Sequence, residues 1–491
     1  MHTFFKHCLP SPNCDSELIC ALLYVCYVFS RFTSPEHIEE GHTMTNEISH
    51  SAIKPKASRK EVVAVVLGAA VEFFDFSAYA TFAVMIGNIF FPSDNPFTSL
   101  LLSVSVFGIG FIVRPLGAIF IGSYADRVGR KPAMLLTMVF MTIGTGGLVF
   151  LPGYETIGMA APILLVIVRM LQGLAWGGEA GPATTFIMEA APEGKRAFYT
   201  SWQIVAQGLA GISAGVIGYT LTVILTPEQL SAWGWRVPFA FGLIILPIAI
   251  YLRRNLNETF TTENSDASKS TGSLLGDVMR NYRGLILVGI FILSGSTITQ
   301  YFLNYMTTYA LKELAFAPGT AMASTILIGV CVVVFSLVGG WMADRFGRKM
   351  TIIAPRLILL LLLLPGLEMI NAWRSEGVFF AIITLFAALQ CISGAGVLVV
   401  LCENFPRYIR STGFSITFAF GITLFGGTAQ IVFSWLIKWT GDPVSPGYYL
   451  IAANILCLVA TLMLKERAPH KATRRLKAPQ GKIQFAKEKS Q

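Results

Sequence analysis

Twelve apolar stretches of about 20 residues each, set apart by short polar turns, decide what this chain can fold into. A helix of that length crosses the hydrocarbon core of a bilayer at 1.5 Å per residue, and in lipid the backbone must satisfy its own hydrogen bonds. The stretches run over about 62–91, 98–124, 132–151, 159–187, 199–223, 236–253, 284–310, 320–343, 350–370, 378–401, 411–437 and 447–464. The expected fold class is an all-α membrane protein with twelve transmembrane helices, here spans 1 to 12. Only 13% of the 491 residues are charged, about half the share of a soluble domain. Lipid accounts for that deficit.

Residues 254–283 form the only long polar stretch between spans, and they divide the spans six and six. The expected plan is a leader over 1–61, a six-helix bundle over 62–253, a linker over 254–283, a second bundle over 284–464 and a basic tail over 465–491. Lys and Arg collect before span 1, after spans 2, 4, 6, 8 and 10, and in the tail. Bases mark the cytoplasmic face, which places both termini and the linker there. The net charge of +9 therefore belongs to orientation and lipid headgroups, not to nucleic acid. Residues 1–43 carry an apolar run too short to span and half of the eight cysteines. Met44 reads as the natural start. The cysteines include no CxxC pair and imply neither a disulfide framework nor a metal site.

The chain also repeats itself. Gly122-Ser-Tyr-Ala-Asp126-Arg127-Val-Gly129-Arg130-Lys131 returns as Gly340-Trp-Met-Ala-Asp344-Arg345-Phe-Gly347-Arg348-Lys349, 218 positions on (344 − 126). Glu189 and Arg196 after span 4 match Glu403 and Arg410 after span 10, at an offset of 214 (403 − 189). Two motifs at nearly one offset imply a duplicated bundle, so the halves are expected to be pseudo-symmetric.

These residues resemble the major facilitator superfamily, whose Gly-x-x-x-Asp-Arg-x-Gly-Arg-Lys motif occurs here twice. Glu72-Phe-Phe-Asp75-Phe, Arg114-Pro-Leu-Gly117, Arg169-Met-Leu-Gln172-Gly173 through Glu179, and Trp233-Gly-Trp-Arg236-Val-Pro-Phe are similar to its metabolite:proton symporter group. The strings Phe198-Tyr-Thr-Ser-Trp-Gln203, Phe425-Gly-Gly-Thr428 and Trp439-Thr-Gly-Asp-Pro-Val-Ser-Pro-Gly447 resemble carriers of citrate and related tricarboxylates. Alpha-ketoglutarate carriers share some of them. The resemblance covers about residues 60–465. It implies a secondary carrier in a bacterial inner membrane that imports a small organic anion with protons by alternating access. Proline or betaine import is the alternative, and drug export a weaker one.

An ionisable group inside a span is expensive, which makes each one a functional candidate. Glu72, Asp75 and Tyr79 share one face of span 1 at spacings of three and four. Two carboxylates one turn apart in low dielectric repel each other, and a proton on one relieves the repulsion. Asp75 and Glu72, with Glu179 deep in span 4, are the candidates for proton coupling. Simple pairing of a span 1 acid with Arg114 is the competing expectation. Arg114 is a candidate for a substrate carboxylate or, equally, for neutralising span 1. In span 4, Arg169, Gln172, Trp176 and Glu179 share a face. Arg169 reads either as a substrate and proton-transfer residue or as a snorkelling cation.

Tyr79, Gln172, Gln203, Gln207, Tyr301, Asn304 and Tyr305 complete the substrate-binding candidates, with interhelical hydrogen bonding as the alternative. Gln300, Gln390 and Gln430 belong to the same class of polar groups. Asp126, Arg127, Arg130, Asp344, Arg345, Arg348, Glu189, Arg196, Glu403 and Arg410 are candidate conformational latches; topology alone is the plainer reading. Span 10 shows an apolar wall, Gly394-Ala-Gly-Val-Leu-Val, and span 7 has no acid.

No Gly-x-x-x-x-Gly-Lys loop is present, so an ion gradient rather than ATP is the expected drive. Intramembrane acids favour protons over sodium. The six histidines, His2, His7, His37, His42, His50 and His470, all lie outside the spans. No enzyme activity, metal or cofactor is expected. The expected partners are the organic anion, protons and the bilayer, and a monomer is expected.

Overall fold

The computed structural model describes residues 59–93, 95–128, 130–254, 276, 278–406 and 409–464. The leader, with Cys8, Cys14, Cys20, Cys26 and Met44, most of the linker and the tail lie outside the described residues. The described residues from 64 on make one compact unit. Every regular element among the described residues is helical. Among the described residues eleven helices are long and apolar enough to cross a bilayer. The twelfth position, span 6, holds the helix Val237–Arg254, whose apolar part is shorter and contains Pro247.

Two spans that look continuous in the sequence are broken. Span 1 runs as Arg59–Thr81 and then Ala83–Phe90. Span 2 runs as Pro96–Ile112 and then Arg114–Val128, started by an Asn95 side chain that accepts from the Phe97 N–H (3.0 Å). Pro115 explains the second break: it has no N–H to donate to the Phe111 carbonyl. The Thr423 hydroxyl from span 11 donates there instead (2.7 Å). A backbone group released by one half is thus satisfied by the other.

Small residues set the helix spacing. Gly173 in span 4 (Ala160–Ala190) abuts the Gly110 carbonyl of span 2, and Gly177 abuts the backbone of Arg114. Spans 5 (Arg196–Ile224) and 8 (Pro318–Phe346) run antiparallel across the two halves. They touch at Ala197 and Gly340, at Gly208 and Gly329, and at Gly215 and Ile326. Spans 2 and 11 (Arg410–Thr440) make the second cross-half seam, where Gly108 meets Gly427. Without a hydrophobic drive between helices in lipid, such close backbone contact is the main source of association. Gly347 (φ 102°) sits between spans 8 and 9, a backbone conformation that favours glycine.

Candidate functional site

Between the halves lies a cavity of about 150 Å³. Spans 1, 4 and 5 wall it on one side and spans 7 (Arg283–Lys312), 8, 10 (Glu376–Asn404) and 11 on the other. Glu72, Glu179, Gln203, Gln207, Tyr301 and Asn304 all face it. Gln300 and Gln390 join them, and Phe73, Phe76, Trp176 and Phe418 supply an aromatic surface. Trp176 and Phe418 stack across the halves at 5.9 Å. The polar groups sit near the middle of each helix, where a solute is farthest from either face.

Asp75 lies just beyond this cavity in a tight polar cluster. Its Oδ2 accepts from Gln172 Nε2 (2.7 Å) and Arg169 Nη1 (3.2 Å), and its Oδ1 accepts from Thr145 Oγ1 (3.1 Å). Arg169 and Gln172 are one turn apart on span 4 and bond to each other (2.5 Å). The Arg169 guanidinium also lies over the Tyr79 ring at 4.0 Å, while the Tyr79 hydroxyl donates to the Ser103 carbonyl (3.1 Å). Asp75, Arg169, Gln172 and Tyr79 belong to the residues expected from sequence, Thr145 of span 3 does not, and all five are buried. A void of about 20 Å³ separates the cluster from the main cavity. Glu72, Phe76 and Trp176 line both spaces. Glu72 therefore stands between the substrate-sized cavity and Asp75.

The expectations for Arg114, for Tyr305 and for the residues beside Asp75 are corrected here. Asp75 of span 1 pairs with Arg169 of span 4, at 3.2 Å, not with Arg114. Arg114 makes no ion pair among the described residues. Its guanidinium lies 3.6 Å from the Phe111 ring centre and 3.8 Å from that of Trp176. Nε and Nη1 have no hydrogen-bond partner. Cation–π attraction replaces part of the lost hydration. Tyr305 also faces away from the cavity: its hydroxyl meets Ser434 of span 11 (3.0 Å). Tyr79, Arg169 and Gln172 are placed beside Asp75 rather than on the main cavity wall. Glu179 accepts from Thr137 of span 3 (2.8 Å) and reaches the cavity edge.

Sequence reading missed Arg356. It is fully buried in span 9 (Arg348–Trp373). The signal was present, since an arginine near the middle of an apolar span is rare.

At the end where the repeated turns lie, the halves are tied together. Asp344 accepts from the Ala197 and Phe198 N–H groups (3.1 and 2.9 Å), the unpaired donors at the start of span 5. Arg348 bridges Asp344 (3.3 Å) and Glu403 (3.2 Å). Arg410 approaches Glu189 across the halves at 3.8 Å. Arg345 lies near the Trp341 ring instead (5.4 Å), and neither it nor Arg196 makes an ion pair among the described residues. The side chains of Asp126, Arg127 and Arg130 lie outside the described residues. Cys331, Cys391, Cys402 and Cys457 are buried and unbridged, and no metal-binding cluster occurs among the described residues.

The family model for "Sugar (and other) transporter" matches residues 60–275 and 253–477. The chain belongs to the major facilitator superfamily. The transporter is 35% identical to a citrate-proton symporter of Salmonella typhi, over 82% of this chain and 93% of that one. It is 30% identical to a proline/betaine transporter of Salmonella typhimurium, over 84% of each. Among solved structures it resembles the proton:xylose symporter XylE bound to 6-bromo-6-deoxy-D-glucose, with a TM-score of 0.69. That likeness, at 19% identity, covers 82% of this chain and 94% of XylE, and carries the fold. The twelve helices are thus the two pseudo-symmetric six-helix bundles of this superfamily, in a multi-pass membrane transporter.

Proposed function

We propose that this transporter imports a small organic anion, citrate or a related di- or tricarboxylate, together with protons. The supporting observation is the Asp75–Arg169 pair, buried one thin void away from a cavity shared by both halves. Glu72 touches both spaces and is the route by which a proton reaches Asp75. Protonating Asp75 removes one charge of the pair and frees Arg169 and Gln172 to re-pair, a local event that biases the whole bundle. Arg114 acts by holding the aromatic layer around Tyr301 rather than by gripping substrate. The similarity to a citrate-proton symporter supports the substrate class.

Adding citrate to lightly buffered cells that express the transporter is expected to alkalinise the medium. A silent pH trace alongside labelled citrate uptake overturns proton coupling. A second reading is a proline or betaine carrier. The similarity to a proline/betaine transporter favours it. Labelled citrate, alpha-ketoglutarate, proline and betaine in one vesicle assay separate the two.

In this reading the closed end carrying the repeated turns is the cytoplasmic one, and Asp344 is a latch. Asp344→Ala is expected to speed amide hydrogen exchange at Ala197 and Phe198 by about tenfold or more, since charge-assisted bonds to helix-end donors are lost. Unchanged exchange there removes Asp344 from the latch.

A further inference from the structure

Arg356 carries a charge that the coupling scheme does not use. Its Nε donates to Ser393 Oγ of span 10 (2.9 Å) and its Nη2 to Ser296 Oγ of span 7 (2.6 Å). Its Nη1 donates to Asn454 Oδ1 of span 12, the helix Pro446–Met463. All three acceptors are neutral. Arg356 makes no ion pair among the described residues. Glu368, the acid on its own helix, lies twelve residues on, about 18 Å along the axis, and is exposed. Asp344 and Glu403 lie at Arg348, about 12 Å back along the same helix, and already face that arginine. A guanidinium keeps its charge at any usable pH, and a buried charge is costly without an opposite one. In the amino-terminal half Asp75 answers Arg169. In the carboxy-terminal half the described residues supply no such answer.

Ser296 connects this charge to the cavity. A hydroxyl has one proton and two lone pairs. Because Ser296 Oγ accepts from Arg356, its own proton is available to a third group. Ser296 lines the cavity, and its carbonyl is held by Gln390 Nε2 (2.7 Å). The opposite wall carries Glu72 and Glu179, with the Arg114 cation screened behind the Phe76 and Trp176 rings, whereas the span 7 side is backed by Arg356 and has no acid among its lining residues. An anion entering it is turned toward span 7.

We propose that Ser296, backed by Arg356, forms the carboxylate subsite of the transporter, with the hydroxyl donating to the substrate carboxylate and the guanidinium supplying the counter-charge from behind. Arg356 is a positioning residue; Ser296 is the contact. The bare apolar wall of span 10 is consistent with this, because Ser393 of that span faces inward to Arg356 and not to the cavity. The inference rests on the reading of the cavity as an organic-anion site.

The test uses the full-length protein in liposomes with an imposed pH gradient and labelled citrate. Ser296→Ala is expected to raise KM about tenfold or more, the loss of one hydrogen bond to a charged group, with kcat within about twofold. Ser296→Thr keeps the hydroxyl and is expected to restore KM. Arg356→Gln is expected to raise KM as Ser296→Ala does, and Ser296→Ala alone decides the matter if Arg356→Gln fails to fold. An unchanged KM in Ser296→Ala overturns the subsite. Wild-type liposomes that accumulate no citrate overturn the functional reading instead. Citrate-induced thermal stabilisation then decides the subsite: stabilisation of wild type that Ser296→Ala loses supports it, and equal or absent stabilisation in both overturns it.

Discussion

Asp75→Asn is expected to abolish uphill accumulation of substrate while leaving exchange of labelled for unlabelled substrate across the membrane. The amide is close to the carboxyl in shape; its one oxygen can still accept from Arg169, now 3.2 Å away, and its NH2 group can turn to the Thr145 hydroxyl, which then serves as acceptor. What it loses is the ability to alternate between a charged and a neutral state. The side chain then mimics the protonated acid permanently, so the bundle can still rock but cannot count protons. One proton crossing a difference of one pH unit supplies about 1.4 kcal/mol, enough for about tenfold accumulation. In the variant that accumulation falls to equilibration. Gradient-driven uptake at the wild-type level rules Asp75 out as the coupling group. The buried Arg169 also loses its counter-charge, which lowers the melting temperature of the purified variant.

Gly173→Ala is expected to be among the most damaging single-methyl changes in the chain. A Cβ at Gly173 runs into the backbone carbonyl and Cα of Gly110. No rotamer change relieves a clash with backbone, so spans 2 and 4 must separate. Overpacking of this kind costs about 3 kcal/mol at the upper end of its usual range. The displacement carries Arg169 and Gln172 with it, since they lie on the same helix within four residues of Gly173. Both stability and coupling are therefore expected to fall together. Gly146→Ala is the control: its Cβ meets only the Leu243 methyl at 3.8 Å, an ordinary contact, and its melting temperature stays near wild type. Equal melting temperatures for the two variants would show that spans 2 and 4 do not approach this closely.

Much of the site was legible because chemistry in a membrane is sparse. Glu72, Asp75, Arg169 and Glu179 stand out in a sequence where few charges enter a span, and the helical period alone puts Glu72, Asp75 and Tyr79 on one face. Arg356 stands out equally by that test, although it belongs to none of the repeated motifs. Tyr305 shows the opposite limit. Its spacing from Tyr301 matches one helix turn, but the turn of span 7 against span 11 points it at Ser434 instead of the cavity.

Length and hydropathy are properties of the chain taken one residue at a time, so the number of spans, the duplication and the family resemblance could be read from the sequence alone. Which arginine answers Asp75 could not. Arg114 and Arg169 lie on neighbouring helices, and a position in the sequence says nothing about helix rotation or spacing. Glycines at 110, 173 and 177 draw span 4 against span 2, Pro115 breaks span 2 beside Arg114, and the outcome is a cation caged by rings and another paired with a carboxylate. That choice belongs to packing between helices, and only the tertiary structure makes it.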